Sequence, residues 1–348
     1  MCPQEPTPEP DLAELPFDED ITGRLRISSS ADTVAVIPYL LGYHPRESVV
    51  VMVHVEARVV LTARFPLQIV ERPTELQYRV GQLIAQHPTA QWLLVAYSAD
   101  RDRAADAIEK MLAHLVQTDL LEVVDALVVS GGKFWSQMCN DADCCPPEGQ
   151  AYDPITSPIA VQAVVNGLQA MPDRENLVDR VRPPRGWLAR TARRRVDKAF
   201  DHLQVIALAE AEALFGELLD CGLADPAQLG EDELALMAAM VSYGALRDIA
   251  LRRINHVDAE QHVALWQRVA RATPREHQAS VLGVLGLASW VGGDGAMQVV
   301  CLERGEKIEP GHVLLGLLDE INKMAVPPSV WGQLLADLPE SLPSAGQP

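Results

Sequence analysis

The chain has 348 residues, 48% of them hydrophobic, and a formal net charge of -19 at pH 7. That length accommodates two ordinary cores, since single domains cluster near ~100–200 residues. The charge sets the body of the protein against nucleic acid and anionic membrane, and no apolar run reaches the ~18 residues of a membrane-spanning helix.

The first twenty residues hold seven acids, five prolines and no Lys or Arg, which predicts a disordered acidic arm. The start, Met1-Cys2-Pro3, has neither a basic stretch nor an apolar core, so no export signal is expected and a cytoplasmic, reducing compartment follows. Arg24 to Ser28 predicts a short strand. Ser29 and Asp32 have capping-box spacing ahead of a helix that buries Val34, Ile37, Leu40 and Leu41, carries Pro38 inside it and ends at Gly42. Ser48 to Val55 is nearly continuous β-branched sequence and predicts a strand covered on both faces. Glu56-Ala57 turns the chain back into a strand over 58–65, an antiparallel hairpin. A helix over 73–87, a strand over 91–97, a helix over 101–117 capped by Asp100, and a strand over 122–129 follow. Gly131-Gly132 forms a turn, and residues 133–138 return as a strand.

This alternation predicts an α/β domain with a mixed sheet over 21–150. From Ile155 onward no strand is expected. A helical connector over 151–186 leads to an all-α domain over 187–340. Its helices are predicted over 155–169, 174–181, 187–219, 231–254, 258–272, 274–291, 295–304, 311–324 and 328–338. Val281 to Val291 is interrupted by Gly283, Gly286 and Ser289 and reads as a buried helix.

Three groups of residues carry chemistry. Cys139, Cys144 and Cys145 are three of the chain's six cysteines. They could give two or three thiolates to zinc, form a redox pair, or be small residues locking a tight loop stiffened by Pro146-Pro147. The segment has no fourth cysteine or histidine, and adjacent cysteines are expected to aim their sulfurs apart. Residues 180–198 hold eight basic residues and one acid. Arg182 and Arg185 lie on the Pro-rich connector, and Arg190, Arg193 and Arg194 share a helical face. Such a face could hold a phosphate or a nucleotide, or be solvated and paired with the chain's own acids. Third, ligands of α/β sheets gather at the carboxyl ends of strands, where Ser98, Asp100, Ser130 and Lys133 are expected. Ser98 and Asp100 read equally well as helix caps. The loop from Gly42 to Ser48 holds His44, Arg46 and Glu47, but it enters the amino end of its strand and reads as a turn. No phosphate loop, dinucleotide fingerprint, nucleophile elbow or zinc-protease motif is present.

Several motifs together carry a resemblance. Pro38-Tyr39-Leu40-Leu41-Gly42-Tyr43-His44-Pro45, Ser48-Val49-Val50, Thr62-Ala63-Arg64, Cys139 with Cys144-Cys145-Pro146-Pro147-Glu148-Gly149, and Gly293-Asp294-Gly295-Ala296 are similar to those of an actinobacterial domain-of-unknown-function family, family 4192. One departure is Pro66, where that family tends to place an acid two positions after the arginine matched by Arg64. The resemblance implies compartment and architecture but no reaction. Two functions therefore stand at this point. One is a non-catalytic binding, regulatory or scaffold protein with a protein partner or self-association. The other is an α/β enzyme or sensor that holds a small anionic, phosphorylated ligand between the sheet edge and the arginine-rich helix.

Overall fold

The computed structural model describes residues 25–56, 58–115 and 122–337. The acidic segment 1–20 lies outside the described residues, as does the Arg24 end of the first predicted strand. Residues 25–28 enter as irregular chain instead of a strand. The reason is local: the Ser28 N–H and Oγ both donate to Asp32 Oδ2, at 3.0 and 2.6 Å, which commits them to the helix start. Helix α1 (Ser30–Leu41) follows, with Ser29 Oγ accepting the Asp32 N–H at 3.1 Å. It keeps Pro38 inside and ends at Gly42, whose φ of 74° is a left-handed value that suits glycine.

The sheet has six strands: β1 (Ser48–Val55), β2 (Arg58–Pro66), β3 (Gln91–Tyr97), β4 (Glu122–Ser130), β5 (Lys133–Ser136) and β6 (Gln150–Ala151). Their order is β2-β1-β3-β4-β5-β6. Only β3 and β4 run parallel among these neighbours, so the sheet is mixed, as the alternation predicts. β5 stops short of its predicted end because Ser136 Oγ accepts the N–H groups of Met138 and Cys139, at 3.2 and 3.1 Å, and takes them out of the ladder. β6 escaped the sequence reading because two residues carry no periodicity.

β1 lies inside the sheet between β2 and β3, and its side chains alternate between two cores. Val49, Val51 and Val53 pack with Trp92, Leu94, Ala96 and Val128 under α2 (Pro73–Gln86) and α3 (Arg101–Leu115). Val50 and Met52 face the other way with Leu93, Val95, Tyr97, Leu127 and Val129, in a core that runs without a break into the helical part.

That part comprises α4 (Pro158–Val165), α5 (Arg174–Asp179), α6 (Gly186–Val205), α7 (Leu208–Ala224), α8 (Glu231–Met240), α9 (Gly244–Arg253), α10 (Ala259–Ala272), α11 (Gln278–Val291), α12 (Gly295–Glu306), α13 (Val313–Lys323) and α14 (Trp331–Asp337). Among the described residues beyond Ile155 the only β pairing is one isolated bridge from Tyr43 to Met171. Two predicted rods are broken. The helix over 187–219 is cut at Ile206 and Ala207, both extended, so that α6 packs on α8 while α7 packs on α9 and α10. The helix over 231–254 turns by 105° between α8 and α9. α11 is buried almost throughout and is apolar on all sides, as a helix surrounded by others must be. Gly283 lets α13 approach it: a Cβ there would lie 2.8 Å from Leu314 Cδ2. No single helix among the described residues is long and apolar enough to cross a membrane.

Because Met52 belongs to the core that both halves share, Met52→Ala is expected to destabilise the fold by about 2–5 kcal/mol. Amide exchange should then speed up in α11 as well as in β1. Faster exchange confined to the sheet would show that the two halves are stabilised independently.

Candidate functional site

The antiparallel pairing of β1 with β3 sets Ser48 opposite Tyr97. The amino end of β1 therefore lies on the same edge as the carboxyl ends of β3 and β4. The positional argument that set the Gly42–Ser48 loop apart from the ligand edge fails, since it took β1 to run with its neighbours. Glu47 stands in the middle of this edge, with φ at 44°. Its Oε1 accepts from Ser98 Oγ at 2.8 Å and from the Ala99 N–H at 3.3 Å, and its Oε2 pairs with Arg103 Nη1 at 2.9 Å. The other predicted edge residues are also engaged. Asp100 Oδ1 accepts the N–H groups of Asp102 and Arg103, at 3.0 and 3.3 Å, as a helix cap does. Ser130 Oγ donates to Ala99 O at 3.0 Å, and Lys133 Nζ donates to Glu148 O at 3.0 Å. Ser98, Asp100, Ser130 and Lys133 thus tie the loops of the sheet edge to one another.

Beside this edge, Arg64 Nε donates to the fully buried Ser48 Oγ at 2.7 Å. Burial pushes the Arg64 guanidinium down, and Arg174 pushes it the same way, while Tyr43 and Glu303 hold it up. Arg174 pairs with Glu303 at 3.0 Å. Arg64 thus has Ser48 as a partner, and Pro66 stands where the resemblance places an acid. This cluster joins β2, α5 and α12 across the seam between the sheet and the helices.

The arginines stand apart from the sheet edge. Arg190, Arg193 and Arg194 on α6 face Pro184, Pro274, Arg275 and Glu276 across an open hollow of about 510 Å³. Arg193 pairs with Glu276, and Arg182 pairs with Asp179. Arg185 is the residue before α6 and makes no side-chain capping bond there. Among the described residues, no hydrogen bond or ion pair joins this group to Ser98, Asp100, Ser130 or Lys133.

The cysteines do come together. Cys139, Cys144 and Cys145 place their sulfurs within 4.8 Å of one another on the loop between β5 and β6. The adjacent pair, expected to diverge, converges: Cys144 Sγ and Cys145 Sγ are 3.9 Å apart. The loop conformation makes this possible. The Cys145 N–H donates to Asp141 O at 2.6 Å, and Asp141 Oδ1 accepts the Asp143 N–H at 2.9 Å, so the chain turns back on itself. Gln150 Nε2 donates to Cys144 O and anchors the far side. Gly149 has φ of 78° and lies against Trp135, whose ring a Cβ would overlap; Trp135 Nε1 donates to Pro147 O at 3.0 Å, and Arg101 stacks 4.3 Å from that ring. The thiols differ in acidity. A hydrogen bond from the Asp141 backbone, then one from Cys145, pulls Cys139 down. Burial, with help from the other two sulfurs, pushes Cys145 up to about 12.

A fourth arrangement was not visible in the sequence. Ser280 Oγ lies 3.1 Å from His312 Nε2, the spacing of a nucleophile and its base. However, His312 Nδ1 accepts the Leu315 N–H at 3.4 Å as the cap of α13. A neutral imidazole has one donor and one acceptor nitrogen, so Nε2 carries the proton and donates to Ser280. Burial lowers the His312 pKa and keeps the ring neutral. This pair therefore cannot activate the serine.

The lowered Cys139 pKa means that its thiolate persists to a lower pH than an ordinary thiol, while Cys145 stays protonated through neutral pH. Iodoacetamide labelling of the reduced, chelator-treated protein near pH 8 should modify Cys139 well before Cys145, as read by peptide mass mapping. Cys139→Ser removes one of the interactions that raise Cys145 and should quicken its labelling. Equal rates at the two cysteines would contradict the assignment.

The comparisons with known proteins are narrow. No curated protein matches the chain, and no solved structure does. A match over residues 31–329 spans the sheet, the cysteine loop and nearly all the helices, and by it the chain belongs to the family described as domain of unknown function (DUF4192).

Proposed function

We propose that this is a non-catalytic binding protein of the cytoplasm and that its cysteine loop holds a zinc ion. The observation that carries the reading is the convergence of three sulfurs within 4.8 Å. Zinc–sulfur bonds of ~2.3 Å at a tetrahedral ion put neighbouring sulfurs ~3.8 Å apart, close to the 3.9 Å between Cys144 and Cys145. The donor set suits a soft ion, since thiolates select zinc over the hard cations that prefer oxygen. Cys139 is already inclined to ionise, and a bound cation would favour the thiolate at the other two.

Three protein donors leave a four-coordinate ion one ligand short. The exposed position of Cys144 puts that side of the loop within reach of another molecule. A docking role for a protein partner, or for a second copy of the chain, follows from this more readily than a purely internal brace. A reducing compartment would keep the three thiols available as ligands. The edge of the sheet supports the non-catalytic part of the reading, because Glu47, Ser98, Asp100 and Ser130 spend their bonds on one another and on the backbone.

Purified, untagged protein from cells grown with zinc should contain about one zinc per chain by elemental analysis. Cys139→Ser and Cys144→Ser should each lower the content severalfold, with far-UV circular dichroism unchanged. Zinc near zero in fully reduced wild-type protein would refute the reading.

A further inference from the structure

The sulfurs make no use of the arginines, and the arginine hollow raises an electrostatic question of its own. The chain carries 48 acids against 29 Lys and Arg, so any arginine has carboxylates to choose from. Around this hollow only two are taken up, Glu276 by Arg193 and Asp179 by Arg182. Among the described residues Arg185, Arg190, Arg194 and Arg275 have no carboxylate partner. Arg304, next to them on α12, donates its Nε at 3.1 Å to the amide oxygen of Gln278 and has no acid either. Gln278 is fully buried and fixed by its own donations to Val181 O and Ala270 O, at 3.2 and 2.6 Å, so Arg304 is held in place. Burial pushes Arg304 down, and the charges of Arg275, Arg182 and Arg185 push it further. Mutual repulsion of this kind is unfavourable in the free protein and is relieved when an anion of high charge density enters.

The frame around these charges is suited to one kind of anion. The hollow has about 510 Å³, within the range of small-molecule sites, and is larger than a lone phosphate needs. It sits by the start of α6, a helix of 20 residues whose first N–H groups receive no side-chain cap. The positive end of the helix therefore adds to the arginine charge. Trp187 is 66% exposed in the first turn of that helix. It precedes Arg190 by three positions and Arg194 by seven, so the three share a face. Trp187 stands outside the residues that line the hollow, one turn before Arg190, where its exposed indole offers a stacking surface for a base that extends past the rim while its phosphates meet the arginines.

We infer that the hollow between α6 and Pro274–Arg275 binds a nucleoside di- or triphosphate, with Arg190, Arg194 and Arg275 on the phosphates and Trp187 against the base. The exposed site binds its ligand reversibly and involves no covalent step. It differs from the sheet-edge placement read from the sequence, because Ser98, Asp100, Ser130 and Lys133 take no part.

Thermal unfolding and isothermal titration of the full chain at low ionic strength, without magnesium, test this inference. The probes are ATP, ADP, inorganic pyrophosphate and adenosine. ATP, ADP and pyrophosphate should raise the melting temperature, and adenosine should not. Arg190→Gln combined with Arg275→Gln should weaken ATP at least about tenfold, since each lost charge-assisted bond costs about that or more. The melting temperature without ligand should hold, because both side chains are exposed. Trp187→Ala should weaken ATP several-fold and leave pyrophosphate unchanged. No response to ATP or pyrophosphate would overturn the site, as would a response that the arginine variant leaves intact. Equal affinity for ATP and pyrophosphate, insensitive to Trp187→Ala, would overturn the assignment to a nucleoside. The result is independent of zinc content, so it stands or falls apart from the cysteine loop.

Discussion

The antiparallel seating of β1 between β2 and β3 is the constraint on which the rest of the structure depends. A strand in that position has no free edge, and its two faces belong to two different cores, so it must be apolar at every position. Val49 to Val53 meets that demand, with every residue buried, and the polar Ser48 at its start is buried with its hydroxyl accepting from Arg64 Nε. One face is closed by α2 and α3. The other is closed by the helical part, so the sheet is incomplete without the chain beyond residue 150. The same seating turns the loop before β1 onto the carboxyl edge of β3 and β4. Glu47 can then reach Ser98, Ala99 and Arg103, bonds that a β1 running parallel to β3 would not permit.

Much of the architecture was legible because burial leaves a period in the residues. The β-branched run of β1, the Ala104–Ile108–Met111–Leu115 stripe of α3 and the all-round apolar face of α11 each record what surrounds them. The breaks were not legible. Val205-Ile206-Ala207-Leu208 contains no glycine and no proline, and the break there lets α7 leave the line of α6, which lies along α8, to reach α9 and α10 as well. That is a tertiary demand with no local signature. β6 is two residues long, and a ladder that short shows only once its partner is in place.

The candidate sites divide in the same way. Asp100 was legible as a cap because a cap is local chemistry, whereas Ser98, which reads equally well as one, gives its hydroxyl to Glu47 and accepts the Asp100 N–H ahead of the helix. The arginine face was legible from helical spacing, but Arg275 and Arg304, about eighty and more residues further on, are brought to it by the packing of α11 against α10 and of α12 against α11. The convergence of the sulfurs was misread for a different reason. The expectation that neighbouring cysteines point apart holds for extended chain. It fails where a turn closed by Asp141 O and the Cys145 N–H changes the direction of the backbone between them.

That turn also sets the three thiols on a rigid loop. Pro146-Pro147, Gly149 against Trp135, and the Gln150 bond to Cys144 O fix the loop from both sides, so little chain entropy is left to lose when a ligand arrives. The acidity of Cys139 is supported by hydrogen bonds from its neighbours, and Cys145 pays for its place by holding its proton up to a pKa of about 12. A loop shaped only for packing would bury its sulfurs apart, as Cys301 is buried among apolar helices. Here three sulfurs are gathered at a partly exposed turn, within 4.8 Å of one another, the spacing at which one cation could reach all three.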